Sequence, residues 1–280
     1  IVMLDRGSCS FLFKAQTAQA AGAIGLIVAD NTAASNPPSM GGTASGVTIP
    51  VLSVTLATAS ALKNAMLTAT VSLQMLREAS LSRDGTLDNQ IVAHEWGHFI
   101  SNRLIGNAAG LSTNMSGGLG EGWADFHALL ITVRSEDVLA AANAGWNGVY
   151  AAGGYALYPS VGPSNALYFG VRRVPYSSDL GKNGLTFKHI QNGIALPVGP
   201  PTAFGSSGVN NAEVHNTGEV WCTMLWECYS ALIRDNVRFT FTQAQKRMRD
   251  YLVAAYKLTP NSPTLLEARD ALLAAAVVTD

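Results

Sequence analysis

The sequence carries little charge. Asp, Glu, Lys and Arg make up 13% of its 280 residues and the formal net charge is −1, whereas charged residues make up about 25% of an average globular protein. No basic patch stands out, so we expect no nucleic-acid partner and no binding to an anionic membrane surface. Apolar runs are also short, since none approaches the about 18 residues that a membrane-spanning helix requires. We therefore expect no membrane span.

Cysteine is scarce too, with three residues in the chain. Cys222 and Cys228 are six positions apart on a predicted helix, about 240° around its axis, which is poor geometry for a disulfide bond. The state of Cys9 stays open, because a partner could lie upstream. The first residues, Ile1 to Asp5, lack the basic segment and cleavage site of a signal peptide and have the character of a strand. We therefore expect the chain to be a processed or trimmed piece of a longer precursor.

Residues 1–76 are predicted to form a separate unit, because apolar strands alternate there with helical segments. The predicted strands cover residues 1–4, 23–28, 49–54 and 70–76, and the predicted helices cover residues 11–20 and 59–66. A loop rich in Ser, Pro and Gly, residues 31–46, separates the second strand from the third. This alternation is typical of a small α/β layer.

The segment from Asp5 to Phe11, together with Lys14 and the run Ala20 to Ala23, resembles a motif of the protease-associated (PA) domain. The strand that contains Ile49 and Pro50 fits the same resemblance. Only the latter part of such a domain is covered, and its first strands would be missing. The resemblance implies an influence on substrate access or partner binding, without chemistry of its own. The alternative is a small α/β lobe whose only role is packing.

One stretch of the remaining chain, His94 to His98, has the sequence HEWGH. Apolar neighbours on both sides favour a buried helix, for which Asp88 is a suitable N-cap. Residues four apart lie on one face of a helix, so His94 and His98 present two imidazoles to the same point. Glu95 is offset by about 100° and can reach that point from the side. Two imidazoles and a neighbouring carboxylate are the parts of a hydrolytic zinc site, in which Glu95 would take a proton from the metal-bound water.

A second stretch, Gly120 to Asp125, complements the first. A helix is predicted to begin near Glu121, and Glu121 and Asp125 then share one of its faces because they are four residues apart. We predict Glu121 as the third zinc ligand and Asp125 as the carboxylate that accepts the other ring N–H of a ligand histidine, His94. Three protein ligands leave the fourth position for water, which indicates a catalytic rather than a structural site.

A third histidine, His215, lies near the start of another predicted helix. If it leans over the zinc, its hydrogen-bond donor would stabilise the oxyanion of a tetrahedral intermediate. The alternative is a surface or helix-capping histidine, which spacing alone favours. The other two histidines, His127 and His189, have no partner pattern and are predicted to be structural.

Four stretches occur in the order seen in the fungalysin family of secreted, thermolysin-like zinc endopeptidases, which the chain resembles from about residue 83 to 274. These stretches are His94 to His98, Gly118 to Phe126, Val214 to Trp221 and Pro263 to Ala271. The resemblance implies an α+β fold in which a mainly α-helical, thermolysin-like catalytic lobe, residues 77–280, follows the partial PA domain of residues 1–76.

The same resemblance implies roles for single residues. It makes His94, His98 and Glu121 the ligands of Zn²⁺, Glu95 the general base and later proton shuttle, and His215 the stabiliser of the transition state. It also implies that Arg172 or Arg173 binds substrate; without the resemblance, both arginines would be taken as solvated surface.

Three features depart from the family pattern. Asn210 and Asn211 occupy the stretch in which thermolysin-like enzymes place an acid that orients the third histidine. If no other acid takes that role, His215 would be less readily charged near neutral pH. Gln90 stands where thermolysin has a calcium ligand, so we predict no calcium site there. The β-rich N-terminal lobe that supplies one wall of the cleft is not in the chain, and we expect it upstream, together with a propeptide.

The sequence therefore predicts the catalytic part of a secreted zinc endopeptidase, made as a zymogen, that acts on protein or peptide substrates. Two alternatives stay open. A zinc aminopeptidase would also carry HExxH and a downstream Glu, but it would need a GxMEN-type loop to anchor the substrate amine, and the sequence has none. A non-catalytic PA-type binding fragment would keep the zinc helices only as a scaffold.

Overall fold

The computed structural model describes residues 1–33, 37–41, 46–75, 83–161, 163–203 and 206–279. The chain divides into two compact units, Ile1–Ala79 and Ser80–Asp280. Across the described ranges, no helix combines the length and the apolar character needed to cross a membrane.

The first unit contains a three-stranded parallel sheet in the order β1-β2-β3. Its strands are β1 (Val2–Asp5), β2 (Leu26–Ala29) and β3 (Val51–Val54), with helix α1 (Phe11–Ala20) between the first two and α2 (Leu56–Thr68) after the third. All four residues of β2 are buried, as expected for the central strand of a parallel sheet. The strand predicted at 70–76 is absent from its described part, residues 70–75, where apolar side chains such as Leu73 remain exposed. Leu76 lies outside the described residues.

The second unit is built from helices. They are α3 (Asn89–Leu104), α4 (Asn114–Thr132), α5 (Gly154–Val161), α6 (Pro163–Phe169), α7 (Val214–Arg234), α8 (Phe241–Leu258) and α9 (Leu265–Thr279). The described residues are mainly helical and include a small three-stranded sheet, which confirms the predicted α+β class.

Helix α3 begins where its sequence predicts. The side chain of Asp88 accepts hydrogen bonds from the backbone N–H groups of Gln90 (2.9 Å) and Ile91 (3.4 Å), which satisfies two of the donors that a helix start leaves unpaired. The helix ends at Leu104.

Helix α4 begins at Asn114, seven residues before Glu121, so the predicted start near Glu121 is wrong. Thr113 and Ser116 form a capping box at the true start. Three glycines in the first two turns favour a loop on propensity alone, at about 1 kcal/mol each relative to Ala. Tertiary packing outweighs that preference, because Gly118 lies against Thr217 of α7, and an added Cβ there would be only 2.6 Å from the threonine side chain.

Close packing of α3 and α7 against α4 fixes the relative positions of the three helices that carry the site. A Cβ added at Gly97 of α3 would lie 2.7 Å from the Cα of Ala124, and a Cβ added at Gly122 would lie 2.6 Å from the carbonyl oxygen of Gly218 on α7. Farther along α4, Trp123 makes a T-shaped contact with Trp221 of α7 at 5.7 Å between ring centroids. The three helices therefore form one packed layer with α4 in the middle.

Candidate metal centre

Helices α3 and α4 bring His94, His98 and Glu121 together, and one ligand atom from each lies within 4.8 Å of the others. The two Nε2 atoms are 3.0 Å apart. Oε2 of Glu121 lies 3.4 Å from Nε2 of His94, and Oε1 lies 3.5 Å from Nε2 of His98. The helical spacing of the histidines and the close contact of Gly97 with α4 produce this convergence.

The donor atoms of this group fit a small divalent cation. His94 Nδ1 lies 2.7 Å from Oδ1 of Asp125, and an ionised carboxylate only accepts, so the proton sits on Nδ1 and a neutral His94 turns its Nε2 lone pair toward His98 and Glu121. Oε2 of Glu121 is buried and accepts no hydrogen bond from the described residues. For metal–ligand bonds of about 2.0–2.1 Å, tetrahedral ligands are separated by roughly 3.4 Å, close to the distances observed.

The pKa shifts of His94 and Glu121 also fit a site for a cation. Burial alone would lower the pKa of His94, but the hydrogen bond with Asp125 and the nearby carboxylate of Glu121 raise it to about 9. Burial would raise the pKa of Glu121, yet the imidazoles of His94 and His98, helped by His215, hold it far below its usual value. Either a proton on His94 or a bound metal cation would therefore offset the repulsion between the lone pairs of His94, His98 and Glu121 that face one another.

Asp125 is fully engaged by its neighbours. Arg172 donates from Nε to Oδ2 (2.6 Å) and from an Nη atom to Oδ1 (2.7 Å), and the Tyr176 hydroxyl also donates to Oδ2. Burial would raise the pKa of Asp125, but Arg172 and His94 hold it well below its usual range. No local sequence pattern connects these residues to Asp125, which lies 47 and 51 positions earlier, and so Tyr176 was not predicted.

Both arginines are buried rather than solvated, with 8% and 9% exposure. The guanidinium of Arg172 also lies 3.7 Å from Oε2 of Glu121, which places it beside the candidate metal ligands. Arg173 instead donates from its backbone N and from Nε to the buried carboxylate of Glu219, at 2.6 and 2.7 Å. It also donates to the side chain of Asn211 (2.7 Å) and to the carbonyl oxygen of Asn216 (3.1 Å).

His215 lies at the edge of the group and is 51% exposed at its side chain. Its Nε2 is 3.4 Å from Oε2 of Glu121, and its Nδ1 is 2.7 Å from Oε1 of Glu213. Glu213 is also the N-cap of α7, accepting from the backbone N–H groups of His215 and Asn216. An acid therefore does orient His215, but it is Glu213 and not a residue at 210 or 211. An acidic residue directly before a helix start is the signal that could have found it.

Glu95 lies on the exposed side of α3, and its carboxylate makes no hydrogen bond or ion pair within the described ranges. Next to it, Val92, Trp96 and Phe99 of α3 and Ile131 of α4 line an open apolar groove. Glu95 follows His94 directly on α3 and is therefore offset from it by about 100° around the helix axis.

The remaining predicted positions have structural partners. His127 is buried against Tyr256, whose hydroxyl lies 2.9 Å from its Nε2, and burial lowers its pKa to about 4. His189 accepts from the backbone N–H of Thr186 (2.8 Å). Gln90 donates to the carbonyl oxygen of Ala151 and accepts from the N–H of Gly153, so its amide ties α3 to that loop. The three cysteines, Cys9, Cys222 and Cys228, are free.

Comparisons with known proteins agree with this geometry. A family model described as fungalysin metallopeptidase (M36) matches residues 52–279, and a PA domain model matches residues 1–62. The extracellular metalloproteinase mep of Aspergillus niger is 33% identical over 214 residues, which cover 72% of this chain and 29% of that protein. Extracellular metalloproteinase 10 of Coccidioides posadasii is 33% identical over 208 residues, which cover 70% and 28%. The chain thus spans less than a third of the length of these curated relatives.

Proposed function

We propose that this chain, which belongs to the fungalysin family of metallopeptidases, is the catalytic part of a secreted zinc endopeptidase that hydrolyses peptide bonds in proteins. The observation that carries the proposal is the convergence of His94, His98 and Glu121, with a buried Glu121 oxygen that lacks a hydrogen bond from the described residues. Imidazole and carboxylate ligands in this number are typical of catalytic zinc.

In this proposal His94, His98 and Glu121 hold the metal. When bound there, zinc would supply Lewis-acid polarisation of the scissile carbonyl and make an attacking water more acidic. Asp125 keeps the proton of His94 on Nδ1 and so keeps Nε2 free as a ligand atom.

In the proposed reaction, Glu95 carries out the proton transfers and His215 stabilises the oxyanion. Glu95 accepts the proton of the attacking water and later donates it to the leaving amine. His215 donates from Nε2 to the oxyanion of the tetrahedral intermediate, and the carboxylate of Glu213 at Nδ1 stabilises the charged imidazole that this requires. Arg172, rather than Arg173, is the arginine we assign to substrate, because it lies next to Glu121.

The organisation around this lobe is part of the proposal. We assign residues 1–76 to a partial PA domain that influences substrate access, and residues 77–280 to the catalytic lobe; the PA match and the division of the structure after Ala79 support this. The four apolar side chains of the groove beside Glu95 are 49–58% exposed. Such a strip supports an upstream lobe of the same precursor, made with a propeptide, that covers it. The names of the relatives support secretion.

Glu95→Gln tests the mechanism in the purified protein that contains this chain. We expect casein hydrolysis to fall by about 10²–10⁴-fold, because the amide cannot accept the proton of water. Bound zinc should stay at the wild-type stoichiometry, since Glu95 is not a ligand. The matched control is Glu227→Gln, which removes an exposed carboxylate elsewhere in the unit and should keep full activity.

Two results would contradict the proposal. Substantial hydrolysis by Glu95→Gln would exclude Glu95 as the base, and wild-type activity that survives complete removal of zinc by a chelator would exclude metal catalysis. Cleavage of N-terminally blocked peptides by the wild type separates an endopeptidase, which cleaves them, from an aminopeptidase, which does not.

A further inference from the structure

Tyr176 is a fully buried residue whose backbone is held by hydrogen bonds to a neighbouring segment of the chain. Its N–H and carbonyl form a two-way antiparallel bridge with Tyr150, with both hydrogen bonds at 2.9 Å. Two residues along, Ala152 accepts a hydrogen bond from Val171 (2.8 Å), so the segments 150–153 and 170–176 run side by side. The amide of Gln90 ties the first of these segments to α3, one turn before His94.

The hydroxyl of Tyr176 completes the hydrogen bonding of Asp125. Oδ1 of Asp125 faces His94 Nδ1 and accepts from Arg172, while Oδ2 accepts from Arg172 and from Tyr176. A carboxylate has about four lone-pair sites, and all four are occupied here. The carboxylate is 1% exposed, so water cannot replace a lost donor.

We propose that Tyr176 is a positioning residue of the metal centre: its hydroxyl fixes the Asp125 carboxylate in the rotation that holds Nε2 of His94 toward His98 and Glu121. This inference rests on the proposed function, since it assumes that these three residues bind zinc. Without the hydroxyl, Oδ2 keeps only Arg172, and the carboxylate can rotate toward the guanidinium and away from His94. His94 would then lose the partner that sets its tautomer and ring orientation.

A tyrosine suits this position better than a second cation. Burial and the charge of Asp125 raise its pKa well above the usual value, so the hydroxyl stays protonated and always donates. Because it is neutral, it completes the carboxylate without adding a positive charge that would repel a metal ion next to His94. The ring itself packs in the core, where the hydroxyl also faces the buried thiol of Cys222.

Tyr176→Phe keeps the ring and removes the donor. The readouts are the zinc Kd of the full chain, measured by competition with a chelator, and the visible absorption spectrum of the cobalt-substituted protein. We expect zinc affinity to fall by about tenfold to a hundredfold, the range typical of lost partners of metal-ligating histidines. The cobalt spectrum should shift, because the His94 ligand atom moves.

Two tyrosines provide matched controls. Tyr150 belongs to the same backbone bridge, and its hydroxyl pairs with Asn143 rather than with Asp125. Tyr150→Phe should lower the Tm by less than Tyr176→Phe does, because its partner is a neutral amide, and should leave the zinc Kd within twofold of wild type. Tyr229 has a buried hydroxyl that accepts and donates no hydrogen bond in the described structure. Tyr229→Phe should leave the zinc Kd unchanged and keep or raise the Tm.

Should Tyr176→Phe alone fail to fold, the same measurement is made with Tyr176→Phe combined with Tyr229→Phe, which recovers stability. A zinc Kd within twofold of wild type and an unshifted cobalt spectrum would overturn the inference. Equal weakening in Tyr150→Phe would overturn it as well, since the effect would then come from the bridge and not from Asp125. A wild-type chain that binds no zinc would instead contradict the proposed function.

Discussion

Gly122→Ala tests whether close contact between α4 and α7 positions the site. A Cβ at residue 122 would lie 2.6 Å from the carbonyl oxygen of Gly218, 2.8 Å from Cβ of Trp221 and 2.9 Å from its Cδ1. Real Cβ contacts are not shorter than 3.0 Å, and ordinary ones begin at 3.4 Å. The two helices must therefore separate locally by roughly 0.5–1 Å, because neither a backbone carbonyl group nor the Cβ and Cδ1 atoms of a packed tryptophan can move out of the way.

The magnitude follows from two opposing effects. Overpacking of this kind costs about 1–3 kcal/mol, and contact with three rigid atoms places this site in the upper half of that range. Replacing a helical glycine with Ala regains about 1 kcal/mol of helix propensity. The expected net loss is about 1–2 kcal/mol, which corresponds to a fall in Tm of roughly 2–8 °C for a unit of about 200 residues.

The same separation should affect metal binding, since Glu121 precedes residue 122 and His215 lies on α7. We expect zinc affinity to fall together with the Tm, both measured on the same preparation. Gly117→Ala is the matched control: it lies on the same helix, and its added Cβ would be 3.4 Å from a flexible Val214 methyl group. It should raise the Tm slightly and keep the zinc Kd. If Gly122→Ala proves as stable as Gly117→Ala and binds zinc as tightly, close helix contact does not position Glu121.

Two further predictions concern charge. Glu213→Gln keeps an acceptor for Nδ1 of His215 but removes the negative charge, so kcat should fall by about fivefold to tenfold with little change in KM, as for the loss of a charge-assisted hydrogen bond; an unchanged kcat would contradict the role of Glu213. The pKa of His94 rises from 6.5 to about 9 on folding of the metal-free protein, so the stability that this group contributes is fully present below pH 6.5 and is lost as pH rises through about 9. Urea titrations of chelator-treated protein should show that loss, and the zinc Kd should tighten over the same pH interval because zinc displaces the proton; a flat profile for both would refute the assignment.

The parts of the site that the sequence predicts are those set by helix periodicity. Positions i and i+4 share a face, so the convergence of His94 with His98 and the pairing of Glu121 with Asp125 follow from spacing alone. The N-cap role of Asp88 is also local, because it depends on the next three residues. These features need no knowledge of which helices touch.

The parts that the sequence did not predict depend on contacts between distant segments. Glycines in the first turns of α4 look like a loop, and contacts with distant segments, such as that of Gly118 with Thr217 of α7, explain why a helix tolerates them. Arg172 looks like a solvated side chain, and only the fold places it against Asp125. Glu213 differs from the expectation for another reason: the pattern of thermolysin-like enzymes predicts an acid in the stretch of Asn210 and Asn211, whereas here the N-cap of α7 supplies it.

Buried ion pairs around the site are better explained by geometry than by stability. Arg172 with Asp125 and Arg173 with Glu219 are nine-tenths or more buried, and such pairs often add no net stability over apolar residues of the same size, because desolvation offsets their attraction. Each pair nevertheless fixes a direction. The first orients the carboxylate that faces His94, and the second attaches residue 173 to α7 next to the turn that carries His215. Three lone-pair atoms that face one another repel unless a proton or a metal cation lies between them, so such a centre keeps its shape only if its surroundings are held rigidly. Charged pairs with fixed hydrogen-bond directions provide that rigidity, and packed apolar side chains, whose contacts have no direction, do not.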